Sequence, residues 1–231
     1  MIEETPETWR YEVKFVLRPI DEYALVDWLC TAPFVYRSFL PRVVNSIYLD
    51  NLSFDCAQSN LDGIQARTKY RFRFYGNDWN LKNSLFEIKL KRGRLGKKYK
   101  SDFPIDPREF IKKNYEEREK ILSTIPVMRN DPNTAIGLLP VLAVQYERDY
   151  YLAPEGIRIT VDRKLHFKMI EIDRHIDPMD RWAESMIVLE FKYPTHQKDM
   201  ASRIMSTLPF RATRSSKYLQ GMANLGMALY V

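Results

Sequence analysis

A chain of 231 residues that is 45% hydrophobic and 13% aromatic can bury a sizeable core, so wholesale disorder is excluded and one domain spanning 1–231 is expected. Two cysteines, Cys30 and Cys56, are too few for a disulfide scaffold, and three histidines (His166, His175, His196) without i+3 or i+4 partners argue against a His-based zinc site. Thirty-six Lys and Arg against 30 Asp and Glu leave a formal charge of +6, so where the cations sit matters more than how many there are.

The opening Met1-Ile-Glu-Glu-Thr-Pro-Glu7 is acidic where a signal peptide is basic and then apolar. No apolar run approaches the length of a membrane span, and a cytoplasmic location is expected. Arg10–Leu17 alternates as a strand. Residues 20–30 read as a helix, with Asp21 as its cap and Tyr23, Leu25, Val26 and Leu29 on one face. Residues 43–49 form a strand stopped by Asp50-Asn51. Ala66–Tyr75 and residues 85–91 alternate clearly, with a Gly76-Asn77-Asp78 loop between them. Asp106-Pro107-Arg108-Glu109 starts a helix that runs to Leu122. Residues 143–152, 157–164 and 186–193 are strands, with a turn at Glu155-Gly156. Residues 197–208 and 215–229 close the chain as helices. About eight strands with interspersed helices predict an α+β fold built on an antiparallel sheet or barrel.

Side chains in a strand alternate faces, so Arg67, Lys69, Arg71 and Arg73 share one side while Thr68, Tyr70, Phe72 and Phe74 share the other. Glu87, Lys89 and Lys91 oppose Phe86, Ile88 and Leu90. Arg10, Glu12 and Lys14 oppose Tyr11, Val13 and Phe15. Arg158, Thr160 and Asp162 oppose Ile157, Ile159 and Val161; Glu190 and Lys192 oppose Leu189 and Phe191, and Arg148 adds a cation on its own strand. One such face is an ordinary solvated sheet surface. Four cations in succession, spaced ~7 Å apart, repel one another, and repetition over several strands points to a bound polyanion. If the sheet closes, the cations point inward and the helices cover the apolar faces.

Nucleic-acid binders interleave aromatics with their cations, whereas here the aromatics fall on the opposite parity and are expected in the core. Glu12, Glu87 and Glu190 sit among the cations, as suits a divalent metal bridging carboxylate and phosphate oxygens. No GxxxxGK[ST] loop is present. The run Glu116-Glu-Arg-Glu-Lys120 reads as a solvated helix face, Lys112-Lys113 as an extension of the basic surface, Trp9, Trp28, Trp79 and Trp182 as packing residues, and both cysteines as structural thiols.

Six segments carry a resemblance: Arg10-Tyr-Glu-Val-Lys14-Phe-Val-Leu-Arg-Pro19, Ser46-Ile-Tyr-Leu-Asp-Asn51, Lys69-Tyr-Arg-Phe-Arg-Phe-Tyr-Gly76, Phe86-Glu-Ile-Lys89, Val188-Leu-Glu190-Phe-Lys and Ser215-Ser-Lys217-Tyr. In this order, over about residues 10–225, they resemble the catalytic domain of the vacuolar transporter chaperone (VTC) polyphosphate polymerases, within the CYTH/triphosphate tunnel metalloenzyme superfamily. The resemblance implies an antiparallel β-barrel forming a basic tunnel, with helices packed outside. It implies that Lys14, Arg71, Arg73, Lys89, Arg148, Arg158 and Lys217 act on the phosphates and that Glu190 holds Mn²⁺ or Mg²⁺. Arg214 and Ser216, Arg67, Lys69 and Lys91 of the cationic faces, and Lys98 or Lys100 of Gly96-Lys-Lys-Tyr-Lys100 would bind substrate. A helix start at Ser216-Lys217 also favours phosphate.

Superfamily triphosphatases open with an ExExK strand; here Arg10 replaces the first Glu of Arg10-Tyr-Glu12-Val-Lys14, which favours the polymerase branch. The eukaryotic polymerases carry an inositol-phosphate-sensing domain and a membrane segment, and this chain is expected to have neither. The implied reaction moves the γ-phosphate of ATP onto a growing polyphosphate chain. The alternatives are a tunnel triphosphatase acting on tripolyphosphate or a nucleoside triphosphate, and a non-catalytic polyphosphate-binding module. ATP and inorganic polyphosphate are the expected partners, with no nucleic acid, and with membrane contact only through a partner protein; the oligomeric state stays open.

Overall fold

The computed structural model describes residues 9–81, 84–129, 137–170 and 182–226. His175 and the end of the expected last helix lie outside the described residues. The strands are β1 (Arg10–Leu17), β2 (Tyr36–Asp50), β3 (Ala66–Tyr75), β4 (Leu85–Arg92), β5 (Leu95–Asp102), β6 (Leu139–Ala153), β7 (Ile157–Met169), β8 (Trp182–Glu184) and β9 (Ile187–Pro194). The order β6-β2-β3-β4-β5-β1-β9-β7 returns to β6 through a β6–β7 pairing, all antiparallel. Eight strands therefore form a closed ring, with β8 appended to β7. Closure pairs the backbone edges that an open sheet would expose. The seam is short: β1 meets β5 only at Arg10↔Gly96 and Tyr11↔Leu95.

Period-2 alternation then sends one residue set inward and the other under the helices. Phe15, Ile159, Leu189 and Phe191 pack with Leu25, Trp28 and Leu29 of α1 (Glu22–Thr31) and with Ala201 and Ile204 of α6 (Lys198–Ser206). Tyr70, Phe72, Phe74, Phe86 and Ile88 of β3 and β4 pack with Phe110 of α3 (Pro107–Lys112), Leu122 of α4 (Tyr115–Leu122) and Met128 of α5 (Pro126–Arg129). Each such apolar side chain contributes about 1.5–3 kcal/mol by leaving water.

Several expectations are corrected. The α1 face is Leu25, Trp28 and Leu29, whereas Tyr23 is 88% and Val26 44% exposed. The indole decides this, because Trp28 reaches Phe191 at 6.2 Å and carries more area than either exposed residue. Asp21 does not cap α1; it accepts from the Arg18 amide and guanidinium. The expected helix over 106–122 is two, α3 and α4, because Lys113 is extended and Asn114 starts α4 with a reciprocal cap to Glu117. Arg118, placed on a solvated face, is buried and donates to the Lys113 carbonyl at 2.9 Å.

Strand β5 and helix α2 (Asp55–Leu61) carried no periodic signal. A polar strand such as Leu95-Gly-Lys-Lys-Tyr-Lys-Ser-Asp102 forms because β4 folds back onto it through Gly93-Arg94, with Gly93 at φ +56°. Helix α7 (Lys217–Asn224) does not pack outside the ring. Its Gly221 lies against Leu142 and Phe167, which share the inward face with Tyr146 and Arg148, and a Cβ there would stand 2.6 Å from each. Helix α7 thus plugs the interior at one end, and only glycine permits that approach.

Candidate active site

The ring encloses a cavity of about 1940 Å³ that continues into a groove beside α6. The structure places Lys14, Arg67, Lys69, Arg71, Arg73, Lys89, Lys91, Arg148, Arg158, Glu190, Arg214, Ser216 and Lys217 in its lining. Both Lys98 and Lys100 line it too, and Lys98 is the more interior, bonded to Glu87 at 3.0 Å while Lys100 is exposed.

Buried carboxylates hold this lining in place. Glu87 takes Arg71 Nη2 at 2.6 Å, Arg73 Nε at 3.8 Å and Lys98. Fully buried Asp162 takes Arg148 through both oxygens at 2.5 and 2.7 Å, and Lys217 at 2.6 Å. Burial would raise both acids, but Arg71 beside Glu87 and Arg148 beside Asp162 outweigh it, so both stay ionised well below the usual range. Tyr48 accepts from Arg71 at 3.1 Å and Tyr146 from Arg73 at 3.0 Å, fixing the two forks further.

A second group gathers where β1 pairs β9. Lys14 stands opposite Glu190, and Glu12 opposite Lys192. Glu190 meets Lys192 at 2.6 Å and lies 4.0 Å from both Lys14 and Arg148; Glu12 pairs with Lys89 and lies 3.6 Å from Arg10. Burial raises Glu12, yet Lys89 and Lys192 hold it down to about 2. The lysines pay in the other direction. Burial brings Lys14 down to about 8 and Lys192 to about 7, with Glu190 only partly offsetting it. Burial, with Lys14 and Lys89 nearby, also puts Lys69 well below its usual value; its ammonium donates to Ser216 Oγ at 2.7 Å.

The end of the cavity near α7 is built by distant contacts. Asp50 accepts from the Cys56 and Ala57 amides at 3.0 Å and from the Tyr218 hydroxyl at 2.5 Å, so one carboxylate ties α2 to α7. Lys14 donates to the Ser215 carbonyl at 2.8 Å, which holds the segment entering α7 across the interior. Glu190 and Glu12 are diagonal neighbours on adjoining strands, and no cluster of three or more ligating side chains occurs among the described residues. That donor set fits Mg²⁺ or Mn²⁺ held jointly with phosphate oxygens, since such ions need only one or two carboxylates there.

Sequence reasoning missed Arg42, Tyr48, Tyr75, Tyr146 and Tyr150, all of which line the cavity. The expectation that aromatics avoid the cationic face is therefore corrected. Tyr75 continues the Arg71–Arg73 parity, and Tyr146 and Tyr150 flank Arg148 at i±2. Following the parity of Arg148 along its own strand, and that of Arg73 to the strand end, reveals Tyr146, Tyr150 and Tyr75.

The family model described as the VTC domain matches residues 10–226. This chain belongs to the VTC domain family. Among solved structures, the VTC domain is similar to a putative adenylyl cyclase from Hippeastrum, with a dominant triphosphatase activity, at 14% identity and a TM-score of 0.52, covering 96% of this chain and 97% of that one. A protein from Pyrococcus horikoshii gives 12% identity and a TM-score of 0.48 over 93% of this chain and 99% of its own. At such identity the first likeness speaks for a shared fold alone. No curated protein matches the sequence. No helix among the described residues is long and apolar enough to cross a membrane.

Proposed function

We propose that this chain is a polyphosphate polymerase that transfers the γ-phosphate of ATP onto the end of an inorganic polyphosphate chain inside the ring. The observation that carries the reading is Arg10. It lines the cavity beside Glu12, on the strand where a hydrolase of this superfamily would place a further carboxylate to hold metal or water. A cation there suits a second phosphate chain.

Phosphoryl transfer asks for alignment and charge neutralisation more than for covalent chemistry by the protein. Arg71, Arg73 and Arg148, locked by Glu87, Asp162 and two tyrosines, are held in fixed positions from which their remaining guanidinium N–H groups would meet phosphate oxygens. Lys14, Lys89 and Lys217 cover the remaining charge, while Arg158, Arg67, Lys69, Lys91, Lys98, Lys100, Arg214 and Ser216 extend the path along which a chain lies. A terminal phosphate is already a nucleophile, so no general base is needed. Mn²⁺ or Mg²⁺ held by Glu190 and Glu12 together with phosphate oxygens would offset charge on the transferred group.

One observation favours hydrolysis: the Hippeastrum protein of like fold has a dominant triphosphatase activity. Incubation with ATP and Mn²⁺, with and without a short polyphosphate primer, and separation of products on a gel decides between them. Long chains with ADP support the polymerase; orthophosphate alone, even with primer, overturns it.

A further inference from the structure

At the cavity end away from α7, β2 carries Phe39 and Arg42 three residues apart, a spacing that regular alternation would put on opposite faces. The β2–β6 register shifts between Arg37 and Phe39 and again between Phe39 and Arg42, and both side chains line the cavity with Tyr75 and Tyr150. Bulges that re-aim a side chain are common beside functional sites. Phe39 meets Tyr150 edge-on at 6.0 Å between ring centroids. The Arg42 guanidinium lies 6.0 Å from the Phe39 ring and 5.9 Å from the Tyr75 ring, with no carboxylate partner among the described residues. Phe39 remains 60% and Tyr75 48% exposed, so aromatic area faces the mouth uncovered.

This mouth adjoins the phosphate forks. Arg42 is the register partner of Arg148, and Tyr75 follows Arg73 by two on the inward face. A triphosphate held by Arg73 and Arg148 would leave its nucleoside beside Phe39, Arg42 and Tyr75. Bare aromatic rings with a guanidinium between them match the flat π-face of a base, where stacking is favourable and tolerant of base identity.

We infer that Phe39, Arg42 and Tyr75 form a nucleobase platform at the mouth of the ring, which holds the base of the donor nucleotide while its phosphates run inward. This rests on the proposed nucleotide-donor function and adds to it a reason for the protein to tell a nucleotide from a bare phosphate chain. The base contacts and phosphate contacts are then separable.

Calorimetric titration of the full chain with ATP and, separately, with tripolyphosphate tests this. Phe39→Ala and Tyr75→Ala are expected to weaken ATP roughly tenfold, as removal of a stacked ring does, and to leave tripolyphosphate within about twofold. Leu40→Ala, which alters an exposed neighbour that does not line the cavity, is expected to change neither. Unchanged ATP affinity in both ring variants, or an equal loss for both ligands, overturns the platform while leaving the phosphate site standing. If the wild-type chain binds neither ligand, the platform and the proposed function fall together.

Discussion

Glu87 on β4 and Asp162 on β7 stand against arginine forks, whereas Glu12 on β1 and Glu190 on β9 stand mainly against lysines. Both pairs are buried and both face inward, but the chemistry of the partner differs. A guanidinium keeps its proton at any physiological pH, so Glu87 and Asp162 belong to a wall of fixed charge and fixed geometry. An ammonium gives its proton up when desolvated, and Lys14 and Lys192 are brought into the physiological range. The β1–β9 lysines are thus able to change their charge when an anion arrives, and the arginine forks on Glu87 and Asp162 are not.

The sharpest test of that contrast is Asp162→Asn. It leaves Arg148 and Lys217 buried with one anionic partner fewer, and breaking such a pair costs about 3–5 kcal/mol. A large fall in unfolding midpoint without ligand is expected, partly restored by tripolyphosphate. A midpoint within a degree of wild type would remove the structural role assigned to this wall.

Glu190→Gln should act on chemistry as well as on folding, because Glu190 is buried against Lys192. Metal-dependent turnover is expected to disappear while tripolyphosphate binds as well or slightly better, since a negative charge has left the cavity. Arg71→Ala is its mirror image, with binding weakened at least tenfold at every metal concentration, in line with a loss of about 2 kcal/mol or more for one partner of a buried pair. Full turnover in Glu190→Gln would move the metal elsewhere.

The next effect is proton linkage. In the empty ring Lys192, near 7, and Lys14, near 8, are largely or partly neutral at pH 8, and a bound phosphate chain raises both. Binding should therefore take up protons between about pH 7 and 9, visible as a dependence of the binding heat on buffer ionisation enthalpy. Affinity should fall as pH rises through that window. Stability of the empty ring runs the opposite way: unfolded lysines stay protonated to about 10.4, so the unfolded state binds more protons and the fold gains stability as pH rises from 7. Lys192→Arg keeps its proton and should reduce the uptake.

The smallest effect is expected at the rim. Lys98→Ala removes a partly buried partner of Glu87 and should weaken tripolyphosphate measurably, while Lys100→Ala, at an exposed position, should change affinity less than about threefold, within the worth of a solvent-screened charge. A larger loss at Lys100 would place the phosphate path nearer the surface.

The alternation of Arg67, Lys69, Arg71 and Arg73 with Tyr70, Phe72 and Phe74 was readable without any structure, because the period of two is a property of the strand backbone itself. The same holds for Lys14, Lys89, Glu190 and the start of α7 at Ser216, which local pattern and family resemblance put on the right elements. Other features depend on partners far away in the chain. Closure of the ring, the burial of Glu87 and Asp162 by particular cations, and the plug made by α7 against Leu142 and Phe167 rest on such pairings, some spanning as many as 201 residues. Strand β5 has too few apolar residues to announce itself and forms because β4 supplies its partner. The double register shift that brings Phe39 and Arg42 to one side exists only once β2 is laid on β6. Sequence determined which side chains share a face along a regular strand, since that is local geometry; tertiary structure decided where a bulge re-aims one, which charges are neutralised, which can titrate and which stay free for a ligand, since those depend on distances between strands.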